Sequence, residues 1–242
     1  MLDFKWRHFQ EDIIMMPVRW YLSYSLSYRD IEELMLERGI YVDHSTIQRW
    51  VQKYSIELEE LFRKKHKRKE PYVSWRIDET YIKIKGVWFY LYRAVDKHGD
   101  TLEFMLSEHS DEESAFHFLR KCIGNHDLPK KITIDKSGAN EAALILLNYF
   151  LYLEGLRPHI WVEDRQIEYL SNIIEQDHCH IKRRTNPMLG FKSIASAEST
   201  IAGYELINML RKGQHVDAEN MTIFEQFYNP LESRGSGLYK TL

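Results

Sequence analysis

Apolar and polar positions follow two different rules along this chain, and the change falls near residue 70. Over the first 62 residues apolar side chains recur at helical spacing. The stretch EDIIMMPVRWYLSYS reads as one helix. In SYRDIEELMLERGI, Ser27 is a suitable N-cap, and Ile31, Leu34 and Met35 form a stripe at i, i+3 and i+4 before Gly39 stops the helix. YVDHSTIQRWVQKYSIEL then restarts, with Asp43 or His44 near its cap and Ile47, Trp50, Val51 and Tyr54 at helical spacing. Helix, glycine turn and second helix make the helix-turn-helix pattern. It predicts a small all-α DNA-binding domain over 1–62, whose second helix would enter the major groove. There Ser45, Thr46, Gln48 and Arg49 are of the types that bond bases and phosphates. A three-helix bundle with no DNA role gives the same pattern.

From Tyr72 the period becomes two. YVSWRIDETYIKIKG and VWFYLYRAVD alternate around a Lys85-Gly86 turn, and KHGD turns the chain into a third strand, TLEFMLSEHS. DEESAFHFLRKCIGNH is a helix with Asp111 near its start and Ala115, Phe118, Leu119 and Cys122 on one face. A fourth strand over Lys131–Asp135, an apolar helix in GANEAALILLNYFLYLEGL and a short fifth strand in RPHIWVE follow. Further helices run from about Gln166 to Arg183 and near Ala195–Leu210. The order β-β-β-α-β-α-β-α predicts a mixed sheet with helices on its faces, in a second domain over 72–242. Trp88, Tyr90 and Tyr92 fall on one face of a strand and read as packing; the aromatics of NYFLYL read as core.

Charge sharpens the boundary. Six of the seven residues Arg63–Lys69 are Lys or Arg, and Glu70-Pro71 follows, which marks 63–71 as a basic linker. The net charge is only −3, so nucleic-acid binding would need a local patch rather than a global field. Cys122 and Cys179 form no metal-binding or disulfide spacing. The N-terminus lacks a signal-peptide pattern and no apolar run has membrane-spanning length, so a cytoplasmic protein is expected.

Two acids lie where acids are costly. Asp78 stands inside the first strand of the sheet and Asp135 ends the fourth, each beside apolar residues. In a mixed sheet of this order those strands are neighbours, so the carboxylates can converge. A third acid from a later helix would complete an oxygen-rich site suited to Mg²⁺. The segment SNIIEQDHCHIKRR offers Glu175, followed by His178, Cys179, His180 and a Lys-Arg-Arg triplet. Adjacent His178 and Cys179 point apart on a helix and have no partner pair elsewhere, which argues against zinc. Ser137 has no matching His and Asp order for a serine hydrolase. A two-carboxylate glycoside hydrolase would leave the N-terminal unit and the cations after Glu175 without a role.

Taken together and in this order, WRIDETYIKIKG, ITIDKSGA, YLSNIIEQDHCHIKRR, SYRDIEELMLERGIYVDHSTIQRWV and AGYELINMLRKGQ resemble the DDE transposases of bacterial insertion sequences, specifically insertion-sequence family six. The resemblance implies a ribonuclease H-like catalytic domain, with Asp78, Asp135 and Glu175 as catalytic residues and metal ligands. It implies two Mg²⁺ ions, replaceable by Mn²⁺, and DNA contacts from Lys182, Arg183 and Arg184. The implied partners are double-stranded DNA, at the element's terminal inverted repeats and at the target, and further copies of the chain in a homodimer or larger assembly near the nucleoid. A catalytically inactive DNA-binding regulator of the same fold is the alternative. The interval from Asp135 to Glu175 is longer than is usual in the family, which makes Glu168 a rival. Asn172, Asp177 and His178 around Glu175 favour Glu175.

Overall fold

The computed structural model describes Leu2 and residues 9–64, 74–126, 128–134, 138–155, 163–164 and 168–232; of 163–164, 168–176 and 230–232 it describes the backbone alone. In chain order the elements are α1 (Glu11–Ser23), α2 (Tyr28–Leu36), α3 (His44–Lys64), β1 (Ser74–Ile84), β2 (Val87–Asp96) and β3 (Thr101–Ser107). Then come α4 (Glu112–Asn125), β4 (Lys131–Thr133), α5 (Gly138–Leu153), β5 (Glu163–Asp164), α6 (Glu168–Thr185), α7 (Ile194–Arg211) and α8 (Ile223–Glu232). Among the described residues no helix is long and apolar enough to cross a membrane. The linker residues 65–71 and the fifth-strand segment 156–162 lie outside the described residues.

Two compact units divide the chain: Met1–Lys67 with Ile194–Leu242, and Arg68–Ser193 between them. The first is helical. Ser27 and Asp30 form a capping box at the start of α2: Asp30 N–H donates to the Ser27 hydroxyl at 3.2 Å, and Ser27 N–H donates to the Asp30 carboxylate at 2.7 Å. At the start of α3 the cap is Asp43. Its carboxylate accepts from the N–H groups of Ser45 and Thr46 at 2.9 and 3.0 Å and from both their hydroxyls. Those bonds hold the Asp43 carboxyl well below the ordinary range. The apolar stripes of α1 (Ile14, Val18, Leu22) and α3 (Ile47, Val51, Tyr54, Leu58) are buried.

The partner that closes this unit is α7. Every residue from Ser199 to Leu210 is buried, so the helix must be covered all round. That requirement explains a departure from the sequence order, which joins the C-terminal helices to the sheet. By packing, α7 belongs with α1 and α3. A Cβ on Gly203 would lie 2.4 Å from a Leu22 methyl and 2.8 Å from the Ser55 hydroxyl, so both helices approach α7 where it has no side chain. Gln52 donates to the Ser196 hydroxyl at 3.0 Å and Arg211 to the Ser23 carbonyl at 2.9 Å. The final helix, α8, is absent from the sequence reading, although Thr222 and Glu225 cap one another as a T-x-x-E motif predicts.

The second unit is built on a five-stranded sheet in the order β3-β2-β1-β4-β5. β1, β2 and β3 are antiparallel neighbours, while β4 runs parallel to β1 and β5 parallel to β4. This is the ribonuclease H-like order expected from the sequence. The β1–β2 register sets the two faces, since directly opposite residues share a face. Trp75 and Ile77 of β1 join Tyr92 and Ala94 of β2 in a core with Phe118 of α4 and Leu144 of α5. Asp78, Thr80 and Ile82 look the other way, with Arg93, Leu91 and Phe89 as their partners.

β4 is shorter than β1, and among the described residues its last pair with β1 is Arg76↔Thr133. Beyond α6 the chain returns to the same edge of β1. Phe191 N–H donates to the Lys83 carbonyl and Lys85 N–H to the Phe191 carbonyl, each at 2.8 Å. Gly190 permits this: its φ is +100°, and an added Cβ would lie 2.8 Å from the Lys83 carbonyl oxygen. Because that contact is with backbone, Gly190→Ala is expected to destabilise the sheet unit by about 1–3 kcal/mol. Urea denaturation measures it, and unchanged stability would mean the turn can rearrange freely.

Candidate active site

Asp78 sits in the middle of β1 on the face away from the main core, directly opposite Arg93 of β2. α6 lies against this face and is tied to it twice. Arg93, with no exposed side-chain surface, donates to the Asp177 carboxylate at 2.5 Å. One residue on, His178 Nε2 is 3.1 Å from the Asp78 carboxylate. Ile181 and Arg184, further along α6, are buried on the same side. The contacts have one cause. A lone guanidinium in the apolar strand VWFYLYRAVD is tolerated only with a charged partner, and a helix carrying Asp177 supplies it.

His178 is 1% exposed. Burial lowers its proton affinity; the hydrogen bond to Asp78 opposes this, and the positive charges of Arg93 and Lys182 add to the lowering. A neutral ring facing a carboxylate must carry its proton on Nε2, because the carboxylate can only accept. The Asp78 side chain keeps 20% of its surface exposed, so it is held from one side and open on another. On the opposite face of β1, Glu79 accepts from the Ser110 hydroxyl at 2.6 Å and from the Asn140 amide at 3.1 Å. Asn140 belongs to the first turn of α5, the helix that follows Asp135 in sequence.

Of the acids singled out in the sequence, Asp78 is described in full. Asp135 lies outside the described residues, and Glu175 is described only as a backbone position in α6. No group of three or more His, Cys, Asp and Glu side chains suited to a metal occurs among the described residues, which leave out those two side chains. Lys182 and Arg183 are exposed on the last turns of α6, whereas Arg184 is buried. Arg184 therefore points into the protein instead of standing with the two exposed cations. His180 bonds back to the Asp177 carbonyl at 2.5 Å, and Cys179 is exposed. At the start of α3, Ser45 and Arg49 are exposed and Thr46 and Gln48 half-buried. The Ser45 and Thr46 hydroxyls donate to Asp43, and Arg49 donates to the Thr46 hydroxyl at 2.9 Å. Sequence reasoning missed Arg93 and Glu79, and took Asp177 only as a neighbour favouring Glu175. The legible signal was a charged residue inside each of two apolar strands.

The chain is similar to known proteins in sequence and in fold. Residues 72–214 match the family model described as a DDE domain. The transposase for insertion sequence-like element IS431mec of Staphylococcus aureus is 42% identical over 209 residues, covering 86% of this chain and 88% of that protein. The transposase for insertion sequence element IS257 in transposon Tn4003, also from Staphylococcus aureus, has the same identity and coverage. Among solved structures, the catalytic core domain of BIV integrase is similar at 14% identity, with 66% of this chain and 97% of that chain covered and a TM-score of 0.41. The HTLV-2 integrase catalytic core domain in complex with magnesium gives 14% identity, coverage of 67% and 84%, and a TM-score of 0.35.

Two measurements test the joint between α6 and the sheet. Arg93→Met removes a partner from the nearly buried Asp177 carboxylate and should cost about 3–5 kcal/mol in urea denaturation, with much of the loss recovered in Arg93→Met/Asp177→Leu. A harmless single substitution would show that the pair does not hold the helix. The second test uses pH. His178 has a lowered folded-state pKa, so the stability from its neutral form is complete above about pH 6.5 and lost as pH falls through the lowered value. Wild type should therefore lose more stability on acidification than His178→Asn. Equal pH dependence would contradict the burial effect.

Proposed function

The chain belongs to the DDE transposases of bacterial insertion sequences, family six, and on that premise we propose that Asp78, Asp135 and Glu175 form its catalytic triad at the ends of a mobile element. The enzyme cleaves DNA and transfers strands. The observation that carries the triad is the bond between His178 of α6 and Asp78 of β1. It ties the first acid to the helix that bears the third. Glu175 stands three residues, about 4.5 Å of helical rise, before His178. Glu168, ten residues before it, stands about 15 Å away along the axis and is the weaker candidate. For the second acid, support comes from register: Asp78 and Asp135 each stand two residues past the pair Arg76↔Thr133. The Glu79–Asn140 bond supports it further, by anchoring the helix that follows Asp135 to the same strand.

A set of hard carboxylate oxygens, one of them on a half-open Asp78, fits Mg²⁺ or Mn²⁺. When bound, two such ions supply a nucleophile at neutral pH and neutralise charge on the attacking and leaving oxygens of an in-line displacement at phosphorus. The chain's own residues do the rest. His178 donates to one oxygen of Asp78 and orients the carboxylate. Arg93 holds Asp177, and with it the pitch and rotation of α6. Lys182, one helical turn past His178, and Arg183 lie exposed toward solvent, available to phosphates near the cut. Such displacements need positioning and charge neutralisation more than covalent help, which fits a site so heavily braced from behind.

In the helical unit, α2 and α3 with the intervening turn would read the element's terminal repeats. Ser45, Thr46, Gln48 and Arg49 sit on the first turns of α3, where Asp43 fixes two of their hydroxyls in place. Lys182 and Arg183, not Arg184, are the cations proposed for the cleaved end. Two ends must be held at once, so the working form is a homodimer or a larger assembly on double-stranded DNA.

Strand transfer of a pre-cut end in Mg²⁺ tests the triad. Asp78→Asn, Asp135→Asn and Glu175→Gln should each reduce joining by at least about 100-fold, because each removes an anionic metal ligand. Binding to the uncut end, followed by gel shift, should persist. Joining by Glu175→Gln at the wild-type rate would remove Glu175 from the triad.

A further inference from the structure

The far end of the β1–β2 hairpin carries a cleft that the triad does not use. Its volume is about 260 Å³, and its lining includes Tyr81, Lys83, Trp88, Asn186 and Gly190. That is just below the range of about 300–1,000 Å³ for small-molecule sites, room for one flat ring rather than a whole cofactor. The sequence pattern reads Trp88 as packing, in line with Tyr90 and Tyr92. Along that face, however, burial fades: Tyr92 is fully buried, Tyr90 half-buried and Trp88 58% exposed. Tyr81, on the same face of β1, is 61% exposed. The two rings are nearly perpendicular, with centroids 6.5 Å apart and planes at 81°, so they do not stack face to face.

Lys83 is paired with Trp88 across the strands, and its ammonium lies 5.7 Å from the indole ring centre. No carboxylate is paired with it among the described residues. The other wall is the turn after α6, held to β1 by Phe191. It offers the exposed amide of Asn186, and at its tip Leu189 is wholly exposed. Exposed aromatic rings, a cation beside one of them, a side-chain amide and a bare apolar tip form a combination suited to one ligand chemistry. Aromatic rings stack on bases, cations meet phosphates, and exposed apolar side chains wedge between base steps.

We infer that this cleft takes an unpaired base of the DNA substrate, stacked on Trp88 or Tyr81, with the adjoining phosphate at Lys83 and Leu189 as the wedge that keeps the base out of the helix. The inference rests on the transposase reading above. Tyr81 is three residues along β1 from Asp78, about 10 Å of strand rise, but on the opposite face of the strand. Ile82 of the Asp78 face and Thr185 of α6 also line the cleft, so it opens around the edge of β1 from one face to the other. Charge complementarity favours DNA over a second copy of this chain: lysine is depleted at protein–protein interfaces, whereas the phosphate beside a stacked base would neutralise it.

Fluorescence anisotropy with full-length protein tests it, comparing a blunt element end with the same end carrying a short single-stranded overhang. A fluorescent purine analogue in the overhang reports stacking. Wild type should prefer the overhang and quench the analogue. Trp88→Ala should lower overhang affinity roughly 5- to 150-fold, the range for losing one base–aromatic stack. The quench should shrink with it, and Trp88→Phe should retain part of both. Thermal melting checks that each variant folds. If wild type joins blunt ends but neither prefers nor quenches the overhang, the cleft proposal falls and the transposase reading stands. Equal overhang binding by wild type and Trp88→Ala, or a change only in oligomeric state, also overturns it. Wild type that neither binds nor joins DNA overturns both readings.

Discussion

A guanidinium shut away from water dictates much of this site. Arg93 has no exposed surface, and the Asp177 carboxylate beside it is nearly as buried. Neither charge is tolerable there without the other. Because one belongs to β2 and the other to α6, their pairing fixes the rotation of the helix against the sheet. His178 follows from it: the next residue is turned onto Asp78. One turn earlier, the same helix carries Glu175. The placing of α6 over Asp78 in the proposed site thus comes from a contact with no chemical part in the proposed reaction. Asp78 itself stays half-open because its support arrives from one side only.

The two faces of β1 divide the work. One looks into the core with α4 and α5, except where Glu79 reaches Ser110 and Asn140. The other receives α6. Near Asp78 both faces are braced, whereas at Tyr81 and beyond the sheet has lost its β4 neighbour and α4–α5 cover. Among the described residues the Phe191 turn protects that edge, through two backbone hydrogen bonds and a glycine with φ +100°. Exposure at the hairpin end follows from the brevity of β4, whereas the bracing at Asp78 comes from α6 on one face and from Ser110 and Asn140 on the other.

Much of this was legible in the sequence. Alternation fixed the β-β-β meander, helical spacing fixed α4 and α5, and the strand order put the Asp78 strand beside the Asp135 strand. Asp78 stood out because a carboxylate within WRIDETY needs a reason. Arg93 offered the same signal in VWFYLYRAVD, yet one position in a strand does not reveal which distant residue answers it. The pairing with Asp177 spans 84 positions and depends on the rotation of a helix. Trp88 was misread because parity tells which face a residue occupies, not how far cover extends along that face. Arg184 was grouped with its neighbours because a run of cations looks uniform; helical rotation turns the third one inward. The grouping of α7 with α1 and α3 was hidden for a related reason. An apolar helix needs cover on every side, but sequence order does not say who provides it.

That grouping bears on how the protein is made. The helical unit is assembled from the two ends of the chain, with the whole sheet unit between them. During synthesis α1, α2 and α3 leave the ribosome well before α7 exists. At ordinary elongation rates the interval is roughly seven to thirty seconds. Throughout it the apolar stripes of α1 and α3 lack the helix that covers them, while the sheet unit can already fold. A product that stopped after Ser193 would keep every residue of the proposed triad and lose the core of the unit proposed to find its DNA.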